Sequence, residues 1–591
     1  MTARIVLFAA AFASLAALAQ APAPADDGQW VMPARNHEST RFSPLAEING
    51  SNVAGLKLAF SMPTGILKGH EAATIVADNT MYIVTPYPHA VIALDLAKPG
   101  ANVKWRFEAK ADPSSQGVAC CDVVNRGGAY DKGRFFFNTL DNQTIALDAK
   151  SGRELWRAKL GDIKKGESMT MSPLVVKDKV LVGNSGGEFG VRGWLKALDA
   201  ASGKVLWTAY TTGPDKDVLI GANFKPYYAQ DKGADLGVRT WPGDAWKIGG
   251  GTVWGWISYD PELDLVIYGT ANPGPWNPEQ RPGDNKWTST LFARKPDTGD
   301  AVWAYQKSPH DLHDYDGVNE AVLADIDWQG SKRKVLLHPD RNGYMYVMDR
   351  ATGQVLSANP FVHITTSFGV DLQTGALRYN PAKDPHGGEV IRDICPASPG
   401  GKDWQPSAWS PRTKLLYIPH QNLCQDASPG TASYIAGTPY VGMDIKMYAG
   451  PGGYRGLVTA WDPVQGKPAW QVHEHFPVWS GTMATAGDIV FYGTMDGWFK
   501  ALDAKSGKPL WQYKAVSGII GQPVSYRGPD GKQYIAVLAG VGGWAGAVVS
   551  GDMDTRDATG ASGFANAMRD LKAATQKGGM LYVFSLDGGA K

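Results

Sequence analysis

Short apolar runs recur along the chain, and the same punctuation closes each of them. A strand-like run ends near Ala-Leu-Asp, a Gly stands four residues after the Asp, and a Trp four after the Gly. Full copies are Asp148–Gly152–Trp156, Asp199–Gly203–Trp207, Asp462–Gly466–Trp470 and Asp503–Gly507–Trp511. Weaker copies surround Asp95 to Trp105, Gly299 to Trp303 and Asp349 to Gly353. Neighbouring copies lie about 40–50 residues apart, the length of one four-stranded propeller blade. Asp and Gly suit the tight turn between two strands. The Trp then offers a flat anchor between one blade and the next. Amphipathic helices do not fit, because the runs alternate and Gly interrupts them. Seven visible copies and the gaps between them predict an all-β, eight-bladed β-propeller with tryptophan docking repeats.

Composition agrees with a strand-rich chain. Among 591 residues there are 70 Gly and 21 Trp. Propellers grow past ordinary domain size as one unit, so residues 22–591 are expected to form a single domain. The net charge of +1 and 19% charged residues argue against a nucleic-acid partner. Arg4, the apolar run from Ile5 to Leu18 and the end Ala19-Gln20-Ala21 read as a secretory signal peptide over 1–21. The run is too short to span a membrane, and Pro22 and Pro24 follow at once. No later apolar stretch reaches the roughly 18 residues of a span, so the exported protein is expected to be soluble in the periplasm.

An oxidising compartment permits disulfides, and the four cysteines allow three connectivities. Cys120–Cys121 and Cys395–Cys424 are the favoured pairs. No C-x-x-C-H occurs, so no haem is expected on this chain. Insertions at 211–250, 272–290 and 425–455, rich in Gly, Pro and aromatics, are where function is expected to sit.

Several stretches carry a family resemblance in order along nearly the whole mature chain. They are GHEAATIVADNTMYIVTPYP, GVACCDVVNRGGAY, GNSGGEFGVRGW, GGGTVWGWISYDP, ANPGPWNPEQRPGDNKWT, SPHDLHDYDGVNE, HPDRNGYMYVMDR and PVWSGTMATAGDIVFYGTMDG. Together they resemble the soluble quinoprotein alcohol dehydrogenases, the methanol and ethanol dehydrogenase group that uses pyrroloquinoline quinone (PQQ). The resemblance implies that a Cys120–Cys121 ring covers one face of the quinone and that Trp254 stacks on the other. It implies that Arg126, whose forked guanidinium suits carboxylates, pairs with the cofactor. Glu71, Thr170, Ser185, Gly186, Gly187 and Thr252 match further contacts around its rim, and Arg341 matches a cation beside the quinone oxygens. Trp276 and Trp544 match aromatic walls of a substrate pocket. Asp403 and Trp404 match more loosely and are not assigned a role.

Glu188 and Asn272 match the family's protein ligands to a metal ion, and Asp314 its catalytic aspartate. All three offer oxygen, the donor that hard cations prefer. Asp316 separates subgroups. In a strand-like stretch its spacing points it the same way as Asp314. With Glu188 that makes three negative side chains around one ion, which favours a trivalent lanthanide over calcium. Calcium members resemble this segment but carry a small or neutral residue at Asp316. His310 and His313 flank Asp314 and are read as structural, because imidazole is a poor ligand for so hard an ion.

The resemblance therefore implies a periplasmic oxidation of a small alcohol to the aldehyde, with a separate c-type cytochrome as electron acceptor. A calcium-dependent enzyme for a bulkier or secondary alcohol and a non-catalytic scaffold are the competing readings. Oligomeric state stays open, a homodimer included.

Overall fold

A computed structural model describes residues 28–119 and 121–589. The expected signal peptide and Cys120 lie outside the described residues. Among the described residues, eight sheets carry four antiparallel strands in simple up-and-down order, one of them extended by a fifth strand. Ile75–Ala77, Thr80–Val84, Ala90–Asp95 and Val103–Glu108 make one such sheet. Thr80–Val84 is buried at every position, whereas Val103–Glu108 alternates between exposed and half-buried. Inner strands packed on both faces read as unbroken apolar runs, and outer strands as alternating ones.

The recurring Asp, Gly and Trp each have a structural task. Asp148 Oδ1 accepts the N–H of Ser151 at 2.8 Å, and Gly152 N–H donates to the Asp148 carbonyl at 2.8 Å, which closes the turn. The Trp indoles then donate to a backbone carbonyl of the following sheet. Trp105 reaches Ala149 O (3.2 Å), Trp156 reaches Ala200 O (3.1 Å) and Trp470 reaches Ala504 O (3.1 Å). The glycine does more than turn the chain. A Cβ on Gly152 would lie 2.6 Å from the Trp105 ring, and one on Gly203 2.6 Å from the Trp156 ring. Glycine is needed there for close approach as well as for φ values of +72° and +74°.

One sheet joins strands far apart in sequence. Lys57–Pro63 pairs antiparallel with Met580–Ser585, beside Gln533–Ala539 and Val524–Arg527. The insertion at 425–455 contributes to a three-stranded sheet of Ile391–Ile394, Leu423–Pro429 and Met443–Ala449. The expected Cys395–Cys424 disulfide is formed and ties this sheet at its base. Among the described residues, no helix is long and apolar enough to cross a membrane.

Candidate active site

One end of the sheets is lined by the segments that precede each innermost strand and by the loops between second and third strands. Glu71 precedes Ile75–Ala77, Arg126 precedes Gly128–Asp131, Thr170 precedes Leu174–Val176, and Trp254 precedes Ile257–Asp260. Ser185 and Glu188 follow Lys179–Gly183, and Arg341 follows Ser331–Pro339. Trp544 stands on the helix Gly543–Ser550. These segments converge on a cavity of about 440 Å³.

Of the residues expected from sequence, Glu71, Cys121, Arg126, Thr170, Ser185, Gly186, Glu188, Trp254, Trp276, Asp314, Asp316, Arg341 and Trp544 form its wall. Cys121 is there, but its pairing with Cys120 involves a residue outside those described. Gly187, Thr252 and Asn272 are buried just behind the wall. A Cβ on Gly187 would stand 3.6 Å from Thr252 Oγ1 and 3.8 Å from Asn272 Oδ1, so the three form one pocket corner.

On one side a polar chain runs through the wall. Arg126 Nη2 lies 3.0 Å from Glu71 Oε2, Arg126 Nη1 donates to Thr170 Oγ1 at 2.7 Å, and Thr170 Oγ1 meets Ser185 Oγ at 3.2 Å. The Arg126 guanidinium sits 4.9 Å from the Trp254 ring and 5.0 Å from that of Trp404. Burial pushes the Glu71 carboxyl up to about 8, against the pull of Arg126.

On the other side the acids gather. Asp316 Oδ1 accepts the Asn272 N–H at 2.6 Å. Arg341 lies among three carboxylates, 3.4 Å from Asp314, 3.1 Å from Asp316 and 3.0 Å from Asp403. The strand-like stretch expected at 314–316 is not formed. Asp314 is left-handed, with φ 66°, a conformation that Asp tolerates better than most residues. The two carboxylates nevertheless converge on Arg341.

Burial, then Asp316, pushes the Glu188 carboxyl up to about 7. Burial also raises Asp314 well above the carboxylate range, with Asp316 and Glu188 adding to it against Arg341. Asp316 is raised by burial too, with Arg341 opposing. Burial alone would lower Arg341, but Asp316, Asp403, Asp314 and Glu188 outweigh it and hold the guanidinium up. Asp314 Oδ1 and Asn272 Oδ1 are buried without a hydrogen-bond partner. Raised acids and orphaned oxygens mark a site short of positive charge, and a hard cation with oxygen donors fits it. Among the described residues, no three of His, Cys, Asp and Glu are gathered closely enough to hold an ion by themselves, and Arg341 reaches both Asp314 and Asp316.

Trp276 and Trp544 face each other across the remaining wall, with ring centroids 6.4 Å apart. Trp544 is fixed by its indole N–H to Ala561 O at 2.7 Å. His310 binds Gly283 O through its ring, and burial drives the His313 imidazole down to about 3, leaving it neutral. Neither lines the cavity.

Asp403 and Trp404, which match the family only loosely in sequence, both belong to the wall. Asp122 was missed. Its Oδ2 accepts Gly543 N–H at 3.1 Å and Ser550 Oγ–H at 2.9 Å, which pins the helix bearing Trp544. Trp479 was missed as well, although it lies in the quoted stretch PVWSG.

The chain matches the PQQ glucose/ethanol/alcohol dehydrogenase β-propeller family over residues 30–359 and 472–535. A lanthanide-dependent methanol dehydrogenase of Methylacidiphilum fumariolicum (strain SolV) is 51% identical over 95% of this chain and 93% of its own. The methanol dehydrogenase (cytochrome c) subunit 1 of Methylorubrum extorquens is 46% identical over 95% and 91%. A solved europium-containing methanol dehydrogenase superposes with a TM-score of 0.94 at 50% identity, covering 95% of this chain and 98% of that one. With both sheets and cavity in place, the chain belongs to the β-propeller family of PQQ-dependent glucose, ethanol and alcohol dehydrogenases.

Proposed function

We propose that this chain oxidises a small primary alcohol, methanol or ethanol, to the aldehyde with PQQ on a lanthanide ion. Calcium is the alternative metal. The reading is carried by the buried acid cluster of Glu188, Asp314 and Asp316 beside the unpartnered oxygens of Asn272 and Asp314. Glu188, Asn272, Asp314 and Asp316 would hold the metal ion. Glu71, Arg126, Thr170, Ser185, Gly186, Gly187, Thr252, Trp254 and Arg341, with the Cys120–Cys121 ring, would hold the quinone. When bound, the quinone supplies the two-electron sink and the metal ion a Lewis acid.

The chain's own groups do the rest. Asp314 is the general base, and its free Oδ1 receives the hydroxyl proton. With a cation held among the acids, the Asp314 carboxyl would be lowered and ionised for that task. Arg341 steadies Asp314 from the other side, through the carboxylate at 3.4 Å and the carbonyl at 3.0 Å. Trp276 and Trp544 narrow the pocket and exclude water. Export to the periplasm rests on the leader at 1–21, and a periplasmic c-type cytochrome receives the electrons because this chain has no haem motif.

The test is a dye-linked assay on metal-stripped protein given PQQ. Lanthanum, cerium or calcium is added separately, over methanol, ethanol and a bulky secondary alcohol. Activity restored by the lanthanides on methanol or ethanol supports the reading. Calcium alone restoring it, or a preference for the bulky alcohol, favours the calcium-type alternative. Silence with every metal and alcohol favours a non-catalytic propeller.

A further inference from the structure

Arg281 is 1% exposed and lies outside the cavity wall, yet its guanidinium ties two parts of that wall together. Nε donates to Pro275 O at 2.6 Å, and Nη2 donates to Trp276 O at 3.3 Å. Nη2 also donates to Asp311 O, and Nη1 to Asn285 Oδ1 at 2.9 Å. Asp311 in turn holds the segment leading to Asp314. Its carboxylate accepts the Tyr315 N–H at 3.0 Å and the His313 N–H at 3.5 Å. The one side chain therefore sets the spacing between the Trp276 wall and the chain that carries Asp314.

A planar fork of donors reaches acceptors in several directions at once, which an ammonium on a flexible stem does not. The backbone N–H of Trp276 donates to Val441 O at 2.7 Å, so its carbonyl, held by Arg281, is the link to the Asp311–Asp314 segment. A pocket for a small alcohol discriminates by fit, and each surplus methylene changes the selectivity only modestly. A shift of the wall by a fraction of an ångström is then enough to alter which alcohol is preferred.

We propose that Arg281 is a positioning residue that sets alcohol-size selectivity by fixing Trp276 against the Asp311–Asp314 segment. The inference rests on the alcohol-oxidising reading above. The experiment compares holoenzyme of wild type, Arg281→Lys and Asn285→Ala on methanol, ethanol, 1-propanol and 1-butanol, with quinone absorbance and metal content measured on each. Arg281→Lys is expected to lower the methanol-to-butanol ratio of kcat/KM about tenfold, with the larger part of the methanol loss in KM. Asn285→Ala removes one acceptor and should move the ratio the same way by a smaller factor, and it decides the matter if Arg281→Lys does not fold. An unmoved ratio in a loaded variant, with all alcohols slowed alike, overturns the inference and leaves the activity standing. Wild type inert toward every alcohol overturns the activity and this inference with it.

Discussion

Asp316 Oδ1 accepts the backbone N–H of Asn272 across 44 residues of sequence, at 2.6 Å. The bond joins two of the expected metal ligands and leaves Asn272 Oδ1 without a hydrogen-bond partner. Asp316 thus has two tasks, to add charge and to place Asn272. Asp316→Ala is expected to weaken terbium binding, read by Trp-sensitised luminescence, about 100-fold, the usual upper range for losing a group that orients a ligand. Terbium affinity equal to wild type would make Asp316 a bystander.

Asp314→Asn keeps the shape of the side chain and removes its basicity. Turnover should fall about 1,000-fold, within the range for a general base, while the bound quinone keeps its absorbance. Loss of the quinone together with turnover would assign Asp314 to binding alone.

His70, His89 and His420 are buried, and burial drives their imidazoles down to about 4, 4 and 3. Each is neutral in the fold and gains a proton below its ordinary value of 6.5 only on unfolding. Their contribution is fully present above pH 6.5 and is lost as pH falls toward 4, by about 1.4 kcal/mol per pH unit for each group. The raised Glu71 and Glu188 carboxyls pull the wild-type profile the other way, so the histidine share is read by calorimetry as a difference: as pH falls from 7 to 4.5, His89→Gln should gain Tm relative to wild type by one group's share. A Tm difference that stays constant over that range contradicts this.

The Cys395–Cys424 bridge spans 29 residues of sequence. By loop-closure entropy a cross-link of that length is worth about 3.5 kcal/mol. The double Ala variant should unfold at lower denaturant with its low-temperature activity retained. Equal midpoints would show that the surrounding sheet holds this region unaided.

Gly203→Ala places a Cβ 2.6 Å from the Trp156 ring at φ +74°. The strain and the displaced indole should cost about 1–3 kcal/mol, seen as a lower Tm. A Tm equal to wild type would mean that the Trp156 ring moves aside without penalty.

The repeat was legible because its physics is local: turn, glycine and tryptophan lie within nine residues, as in Asp148–Gly152–Trp156. The second duty of the glycine was not, because the ring pressing on Gly152 is Trp105 of the preceding sheet. Site residues such as Glu188 and Asp314 look like ordinary turn residues singly, and only their matching segments in order made them readable. Nothing local marks Asp122 or Asp403, whose partners Gly543 and Arg341 stand 421 and 62 residues away, and the link from Arg281 to the Asp314 segment runs through Asp311, 30 residues on. Where the local rule was applied to Asp314 and Asp316 it failed, since that segment is not a strand.

Lys57–Pro63 can find Met580–Ser585 only after almost the whole polypeptide exists. Glu71 and Trp544, which face the same cavity, come together through that late seam. A product cut short before Met580 lacks the strand that pairs with Lys57–Pro63, and is expected to offer no finished cavity. The readiness of the site is in this way tied to the far end of the polypeptide.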